Sequence, residues 1–270
     1  MKQTDIMPSR YDNSKSILDR ILITGASGEL GRALALHYAT HDRNILLWGR
    51  NRDRLDAVAA ACRARGAQTS VRSLDLTDSA AIYAAIEADD AAGEIGLALL
   101  VAGLGDTLEA GDVAEDPSQV IRLGQVNFVA PSAMAADLAR RMAARGRGHI
   151  VLIGSAAAFH TLPFAASYAA SKAGLAHFAH ALRIGVAGHG VHVTLVSPGF
   201  IDTAAARRTP GPKPFAMSPA IAADRIADAV ERNRAHLVLP WLFAVLRVVD
   251  RLLPRAVRDR LLLSLAPPAG

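Results

Sequence analysis

A glycine-rich turn between a predicted strand and a predicted helix constrains the fold more than any other stretch. Ile21–Thr24 (ILIT) is a short apolar run typical of a buried parallel strand, and the residues TGASGELG lead from it into the helical stretch ALALHYA. Gly25 permits the tight turn, Gly28 lets the backbone approach a pyrophosphate, and Gly31 permits close contact between helix and sheet. Because a helix N-terminus attracts an anion, this segment predicts a dinucleotide site.

Predicted strands and helices alternate along most of the chain. After the first strand, apolar runs predict strands at Asn44–Trp48, Gln68–Leu74, Ile95–Val101, His149–Gly154, Val191–Ser197 and His236–Leu239. Helical segments separate these strands. The pattern indicates an α/β fold, with a parallel, doubly wound Rossmann-type sheet of seven strands.

The chain divides into three predicted parts. Residues 1–20 are polar and lack the apolar core of a signal peptide, so we expect a flexible leader. Residues 21–240 are expected to form one Rossmann-type domain, and residues 241–270 a C-terminal amphipathic helical extension. No stretch approaches the roughly 18 uncharged apolar residues that a membrane-spanning helix needs, so none is expected.

The residues after the second predicted strand bear on the choice of cofactor. An acidic residue there would bind the 2′-hydroxyl of an adenosine ribose, but no carboxylate precedes Asp53, which we expect in the next helix. Arg50 can instead bind a 2′-phosphate, which favours NADP(H) over NAD(H). The alternative is an arginine that is solvated in its loop.

Charge and composition narrow the remaining classes of function. The net charge is +5, but the arginines are dispersed and no RNA-binding motif is present. We therefore expect a phosphorylated cofactor and no nucleic-acid partner. The single cysteine, Cys62, excludes an intrachain disulfide and a cysteine-built metal site, and the nine histidines lack a spacing such as HExxH, so no metal is predicted.

A serine, a tyrosine and a lysine in the second half form a candidate catalytic set. Ser155 follows the predicted strand His149–Gly154, at the edge where open α/β sheets bind ligands. Tyr168 and Lys172 are four residues apart in a predicted helix, Ala165–Gly185, so their side chains share one face. A cation beside a phenol lowers its pKa from about 10, which predicts proton transfer near neutral pH. A chance YxxxK in a polar helix is the alternative.

From about Ile21 to Leu239, the chain resembles the short-chain dehydrogenase/reductase family. The resemblance covers TGASGELG, Asp75 and the segment SPGFIDT, and it matches Asn127, Ser155, Tyr168 and Lys172 to the family's catalytic tetrad. It implies an enzyme in which NADPH delivers hydride to a carbonyl carbon while Tyr168 protonates the developing alkoxide. The reverse reaction oxidises an alcohol.

The resemblance also implies roles for the surrounding residues. Ser155 would hold the substrate oxygen, Lys172 would lower the tyrosine pKa and bind the nicotinamide ribose, and Asn127 would support a water-linked proton path. Asp75 would lie near the adenine ring. The implied cofactor-binding residues, which include Thr203 as a partner of the carboxamide, are Gly25, Ser27, Gly28, Leu30, Gly31, Arg50, Asp75, Leu76, Ala102, Gly103, Tyr168, Lys172, Pro198, Gly199 and Thr203.

Two positions depart from the family's pattern. The commonest form of the loop has its middle glycine where this chain has Glu29, which puts the phosphate contacts around Gly28 in question. The family's Asn-Asn-Ala-Gly after the fourth strand is Leu100-Val101-Ala102-Gly103 here. Because the missing asparagines normally brace the sheet, we expect a more apolar cofactor pocket. Neither change removes a catalytic group.

The segments expected around the substrate are the least determined by the sequence. Thr203–Met217 is rich in proline, glycine and basic residues and is predicted to form a mobile flap. His160 either lines the substrate pocket or faces solvent, and we assign it no role. In the extension, apolar residues recur at helical spacing, with Arg247, Asp250 and Arg251 on the other side and Pro254 between two predicted helices.

Three uses of the extension are open. It can pack on a neighbouring subunit or on the body of the fold, lie on a membrane surface through residues 241–265, or wall a pocket for a lipidic substrate. Its sequence weakly resembles the tails of reductases that act on polyprenyl-phosphate-linked keto-sugars.

The leading prediction is an NADP(H)-dependent oxidoreductase that interconverts a carbonyl and a secondary alcohol. One alternative is a membrane-surface reductase of a lipid or lipid-linked keto-sugar. Another is a non-catalytic NADP(H)-binding sensor or scaffold. The resemblance implies a homo-oligomer, either a dimer or a tetramer. We expect a cytoplasmic protein, with peripheral contact on the inner face of the membrane as the alternative.

Overall fold

The computed structural model describes residues 16–105, 107–109, 112–208 and 212–264. Its strands are β1 (Arg20–Thr24), β2 (Asn44–Gly49), β3 (Gln68–Ser73), β4 (Leu97–Leu100), β5 (Gly148–Ile153), β6 (Val191–Pro198) and β7 (His236–Leu239). Its α-helices are α1 (Glu29–Tyr38), α2 (Arg52–Arg63), α3 (Ser79–Ala91), α4 (Pro117–Gly124), α5 (Ala130–Ala144), α6 (Ala166–Val186), α7 (Ala204–Arg208), α8 (Pro219–Glu231), α9 (Leu242–Leu252) and α10 (Arg255–Ser264). A π-helical turn, Gln125–Val129, joins α4 to α5, and 3₁₀ turns lie at Ala156–Phe159 and Ala187–His189.

The seven strands form one parallel sheet in the order β3-β2-β1-β4-β5-β6-β7. The strand order reverses at β1, because β2 and β3 lie on one side of it and β4 lies on the other. In an open α/β sheet such a switch point leaves a crevice at the carboxyl ends of the strands, where ligands bind. The predicted doubly wound α/β fold is therefore confirmed.

Helices cover both faces of the sheet because alternate strand residues point to opposite sides. In β1, Ile21 and Ile23 pack into one hydrophobic cluster with residues of α1, α2 and α8. Leu22 packs into a second cluster with residues of α3, α5 and α6. All three side chains are fully buried, so the sheet forms a packed base beneath its carboxyl edge.

The fourth strand is shorter than predicted, since it spans Leu97–Leu100 rather than Ile95–Val101. Side chains engage the backbone of Ile95: its N–H donates to Asp90 Oδ1 at 2.9 Å, and its carbonyl accepts from Arg145 Nη2 at 2.7 Å. At the other end, the Val101 N–H turns back to the Leu99 carbonyl at 3.1 Å. These local bonds replace sheet pairing at both ends of the strand.

The predicted leader and flap are described only in part. Residues 1–15 lie outside the described residues, and Arg20 is already the first residue of β1. Within the predicted flap, Ala204–Arg208 form α7, and residues 209–211 lie outside the described part of the chain. The mobility of both segments stays a prediction.

The extension forms two helices, α9 and α10, which Leu253 and Pro254 separate as predicted. Residues 265–270 lie outside the described residues. In the described part of the chain, none of the helices is long and apolar enough to cross a membrane.

Candidate active site

The loop after β1 passes very close to the segment after β4. Gly25 has a φ of +65°, a left-handed conformation that favours glycine, and a Cβ there would lie 2.8 Å from the Cα of Ala102. The two segments are also joined, because the Ala102 N–H donates to Thr24 Oγ1 at 3.1 Å. Gly25 and Ala102 therefore flank the crevice between β1 and β4.

The rest of the glycine-rich loop packs tightly against its own start. The Gly28 N–H donates to the Gly25 carbonyl at 2.9 Å, and a Cβ on Gly31 would lie only 2.3 Å from that carbonyl oxygen. Leu30 is buried in the core, and Ser27 lies against the end of β2, where a Cβ on Gly49 would come within 2.9 Å of its Oγ. Because Gly28 precedes α1 without a capping side chain, N–H groups of the first turn can bind an anion.

Arg50 and Asp75 come together beyond the ends of β2 and β3. The Ser73 hydroxyl donates to the Arg50 carbonyl at 3.0 Å, which ties the two loops. Asp75 Oδ1 accepts from the Thr77 N–H at 2.9 Å, and this bond, with a smaller effect from the Arg50 charge, lowers the pKa of Asp75. The Arg50 side chain is exposed at this edge, where a guanidinium can bind a phosphate, and Leu76 packs against the core below.

Ser155 and Tyr168 come together beyond the carboxyl end of β5, where the serine hydroxyl acts on the phenol to lower the pKa of Tyr168. Ser155 is only 7% exposed. Its Oγ also accepts from the Ala157 N–H at 3.1 Å, at the start of the 3₁₀ turn. These two contacts orient the serine hydroxyl beside the tyrosine.

The pKa of Tyr168 is raised, which is opposite to the direction predicted from the sequence. Burial of the phenol, which disfavours the phenolate, is the largest cause, and the Ser155 hydroxyl acts against it. Tyr168 as a whole residue is half-buried. The Lys172 ammonium donates to the carbonyl of Ile153, at 2.9 Å. Although Tyr168 and Lys172 share a helix face, this does not by itself direct the Lys172 ammonium toward the phenol.

Lys172 is a buried cation, only 5% exposed, and burial lowers its pKa to about 8. A Cβ placed on Gly103 would lie 3.2 Å from Lys172 Nζ and also 3.2 Å from Asn127 Oδ1. The side chains of Lys172 and Asn127 thus both reach Gly103, which comes shortly after β4. The glycine leaves the space next to the ammonium open.

Asn127 is fully buried in the π-helical turn between α4 and α5. Its Oδ1 accepts from the Leu104 N–H and its Nδ2 donates to the Leu104 carbonyl, both at 2.8 Å. Nδ2 also lies 3.4 Å from Ser171 Oγ. Single π-helical turns often occur at functional sites, and this one fixes Asn127 between the loop after β4 and helix α6.

The segment after β6 lies under the extension. β6 ends at Pro198, and a Cβ on Gly199 would lie 2.2 Å from Phe243 Cε2 of α9. The Gly199 N–H donates to the Leu239 carbonyl at 2.6 Å. Thr203 Oγ1 accepts from the Ala206 N–H at 3.1 Å at the start of α7, and its role toward a carboxamide stays a prediction.

Glu29 makes a contact that the sequence analysis missed. Its Oε2 accepts from the Ala204 N–H at 2.6 Å, and its Oε1 lies 3.7 Å from Arg207 Nη2. The cofactor loop and α7 are therefore in direct contact. The sequence showed only that Glu29 stands where the family commonly has a glycine, and not which residue it contacts.

One face of α9 contacts the body of the fold through residues at i, i+4 and i+7: Phe243, Arg247 and Asp250. The Arg247 guanidinium lies 5.0 Å from the ring centroid of Phe159, and Asp250 Oδ1 lies 3.3 Å from His160 Nδ1. His160, whose side chain is 18% exposed, is therefore held by the extension rather than turned to open solvent. The helical spacing of these residues shows that they share one face, but it does not indicate that this face meets the fold.

Within the described ranges, no group of three or more His, Cys, Asp or Glu side chains is placed to hold a metal ion. Cys62 is buried in α2, where burial raises the pKa of its thiol. The thiol packs as an apolar group in the core.

Known proteins resemble the chain over most of its length. Residues 19–212 match the sequence model of the short chain dehydrogenase family. An uncharacterized oxidoreductase of Myxococcus xanthus is 33% identical over 240 residues, which cover 88% of this chain and 94% of that protein.

Two solved structures share the fold. The bulky-bulky ketone specific alcohol dehydrogenase from Comamonas testosteroni is 25% identical, with a TM-score of 0.74 over 89% of this chain and 97% of that one. A short-chain dehydrogenase from Sphingobium yanoikuyae in complex with NADPH is 26% identical, with a TM-score of 0.74 over 88% of this chain and 97% of that one. Together with the family match, they identify the chain as a member of the short-chain dehydrogenase/reductase family and as an oxidoreductase of CH–OH and C=O groups.

Proposed function

We propose that this protein is an NADP(H)-dependent oxidoreductase that interconverts a carbonyl and a secondary alcohol, with Tyr168 as proton donor and acceptor. The observation that carries the proposal is that Ser155 follows β5, the buried Lys172 donates to the Ile153 carbonyl at the end of that strand at 2.9 Å, and Tyr168 lies one helical turn from Lys172. These side chains lie at the carboxyl edge of the sheet, where open α/β folds bind their ligands.

The residues around the crevice fit a dinucleotide. An added Cβ on Gly25 or Gly31 would meet neighbouring backbone, and Gly103 leaves space beside Lys172 Nζ. The first turn of α1 would bind the pyrophosphate, and Tyr168 and Lys172 would bind the nicotinamide ribose. When bound, the cofactor supplies the hydride in reduction and accepts it in oxidation.

The proposed proton chemistry follows from the environment of each side chain. Because burial raises the pKa of Tyr168, its phenol is protonated at neutral pH and can donate to a developing alkoxide. The Ser155 hydroxyl would hold the substrate oxygen beside that phenol. Lys172, with a pKa of about 8, is mostly protonated at neutral pH, and its charge stabilises the phenolate that forms. Asn127, fixed on Leu104, would orient water next to the ammonium.

Arg50 supports a preference for NADP(H) over NAD(H). Its exposed side chain follows β2, and the acidic residue that would bind a 2′-hydroxyl is absent from Gly49 to Arg52. The solved Sphingobium yanoikuyae relative was obtained with NADPH, which supports the same cofactor here.

Substitution of Arg50 tests this preference. We expect Arg50→Ala to lower the ratio of NADPH affinity to NADH affinity by about tenfold or more, because the 2′-phosphate loses a charged partner. The matched control is Arg52→Ala, which removes an exposed arginine that pairs with Asp56 at 2.8 Å. An Arg50→Ala variant with the wild-type ratio, measured by fluorescence titration, would contradict the preference.

We propose that the substrate is a bulky, apolar carbonyl compound or alcohol. Phe159 follows Ser155 in the 3₁₀ turn, Phe243 packs on Gly199, and Phe200 is 38% exposed just after it. Aromatic residues thus lie in the segments after β5 and β6, at the edge of the sheet where Ser155 also lies. The Comamonas testosteroni relative is described as specific for bulky-bulky ketones, which supports a substrate of this class.

A second candidate places the same reaction at a membrane surface. The observation that favours it is the outer side of α9, where Val248 and Leu252 are 56% and 79% exposed next to Trp241, which is 71% exposed. An exposed apolar helix face with a tryptophan and nearby arginines suits peripheral binding to anionic lipid. A lipid or a lipid-linked keto-sugar would then be the substrate.

The Tyr168→Phe variant separates an enzyme from a cofactor-binding sensor. It removes only the phenolic hydroxyl, so we expect NADPH binding to persist while turnover of a bulky ketone falls by about a hundredfold or more. Equal turnover in variant and wild type would contradict the proposed role of Tyr168. A wild-type protein that binds NADPH but reduces none of a broad panel of carbonyl compounds would favour the sensor.

A further inference from the structure

A chain of polar contacts joins the cofactor loop to the segment that carries Thr203. Glu29, the first residue of α1, accepts from the Ala204 N–H and lies beside Arg207. Arg207 in turn donates from Nη1 to Asp202 Oδ1 at 2.6 Å. We call this set of contacts, from Glu29 through Arg207 to Asp202, the Glu29 bridge. It includes residues on both sides of Thr203.

The segment that the bridge holds is also anchored from below. The Asp202 N–H donates to the Met217 carbonyl at 2.8 Å, and Ile201 pairs with Met217. The Arg207 N–H donates to the Thr203 carbonyl at 2.9 Å, which closes the first turn of α7. Thr203 therefore lies between two held neighbours. Asp202 is bonded to Met217, and Ala204 is bonded to Glu29 beside the cofactor loop.

We propose that Glu29 is a positioning residue that holds Thr203 and α7 against the cofactor loop and thereby slows the release of NADP(H). The proposal rests on the proposed function, since it assumes that NADP(H) is the ligand of this loop. The bridge also offsets an unfavourable effect of the Glu29 charge. A carboxylate at the N-terminus of α1 would repel a pyrophosphate bound there, but the Arg207 guanidinium and the Ala204 N–H turn toward it and offset its charge.

The alternative account gives Glu29 no bridging role and leaves only its repulsion of the cofactor. The two accounts predict opposite signs for the removal of the carboxylate. Loss of the bridge makes dissociation of NADPH faster, whereas loss of repulsion makes it slower or leaves it unchanged. The dissociation rate therefore discriminates between them, and it requires no turnover.

The test is the rate of NADPH release, followed by stopped-flow fluorescence with the full chain. We expect Glu29→Ala and Arg207→Ala to release NADPH about three- to tenfold faster, a modest change because these side chains are partly exposed. Glu29→Gln keeps an acceptor for the Ala204 N–H, so its rate should fall between wild type and Glu29→Ala. Arg208→Ala is the matched control, because it removes a neighbouring arginine from the same helix.

The double variant tests whether the two residues act through one contact. We expect Glu29→Ala with Arg207→Ala to release NADPH no faster than Glu29→Ala alone. Additive effects of the two substitutions, or a Glu29→Ala rate at or below that of wild type, would overturn the proposal.

Hydrogen–deuterium exchange gives a readout that does not depend on the cofactor. In the cofactor-free protein, Glu29→Ala should increase exchange in peptides that cover residues 202–208, and Arg208→Ala should not. Unchanged exchange in Glu29→Ala would overturn the bridge. A wild-type protein that fails to bind NADPH would instead contradict the proposed function, while the exchange data would still decide whether Glu29 holds α7.

Discussion

The absence of a side chain at Gly103 lets two polar groups of the site approach the backbone closely. Lys172 Nζ and Asn127 Oδ1 come from different helical segments, and both would lie 3.2 Å from a Cβ on Gly103. A separation of that size is tighter than an ordinary van der Waals contact, so a side chain there must displace one of these groups. Gly103 is therefore expected to affect function more than stability.

Substitution of Gly103 tests this expectation. We predict that Gly103→Ala lowers kcat by roughly ten- to a hundredfold, because the ammonium or the amide must move, while the melting temperature changes little. Gly105→Ala is the control: among the described residues, nothing lies within 4 Å of a Cβ at that position. Full activity in Gly103→Ala would show that the space beside Lys172 is not used.

The raised pKa of Tyr168 predicts how each direction of the reaction depends on pH. Because the phenol is protonated at neutral pH, it is ready to donate in reduction, so kcat for reduction should be flat between about pH 5 and pH 7 and fall only as Lys172 loses its charge near pH 8. Oxidation needs the phenolate, so its rate should rise with pH over the same range. Steady-state profiles in both directions check this. A reduction rate that falls steeply across that range would indicate a lowered tyrosine pKa instead.

At the residue scale, spacing in the sequence predicts which side chains share a face but not where each one points. Tyr168 and Lys172 are indeed one helical turn apart on α6. The ammonium, however, donates to the carbonyl of Ile153 at the end of β5, a residue that only the folded chain brings near. The sign of the tyrosine pKa shift follows from burial, which the local sequence does not contain.

At the scale of elements, α9 joins the extension to the site. Its inner residues Phe243, Arg247 and Asp250 contact Gly199, Phe159 and His160, which lie in the segments after β5 and β6. The periodicity of the sequence predicted an amphipathic helix but not which face would meet the fold. Here the inner side carries Arg247 and Asp250 together with Phe243, and the apolar residues on the outer side stay exposed.

The contact between His160 and Asp250 should help to hold α9 in place. We predict that Asp250→Asn weakens the docking of α9 by about 1–2 kcal/mol, seen as roughly tenfold faster deuterium exchange in α9 and a raised KM for ketones. The control is Asp259→Asn, which neutralises a 56% exposed carboxylate on α10. Exchange rates in α9 that are the same in all three proteins would contradict a role of the pair in docking.

At the scale of the whole molecule, the alternation of apolar runs and helices was enough to predict the seven-stranded sheet. Because helices cover both faces of the sheet, the central strands are continuously apolar. This pattern can be recognised within the sequence of each strand. Contacts between distant segments could not be predicted in this way. Glu29 and Ala204 are 175 residues apart, and neither residue type marks the pair.

The exposed side of the extension predicts behaviour toward membranes that can be measured on the full chain. We expect the protein to float with anionic lipid vesicles and Leu252→Glu to lose most of this binding, since Leu252 is 79% exposed and its substitution removes little packing. Ile221→Glu is the control, because it adds the same charge at a 51% exposed site on α8. A wild-type protein that stays at the bottom of the gradient would contradict the membrane-surface candidate.

Hydride transfer can be followed directly with NADPH that carries deuterium in place of both C4 hydrogens of its nicotinamide. The full-length protein is incubated with this cofactor and a bulky ketone, and the product alcohol is analysed by mass spectrometry. Hydride transfer with Tyr168 as proton donor predicts one deuterium on the carbinol carbon in wild type and almost no labelled alcohol in Tyr168→Phe. Equal labelling by the two proteins, or cofactor oxidation without deuterium in any alcohol, would contradict it.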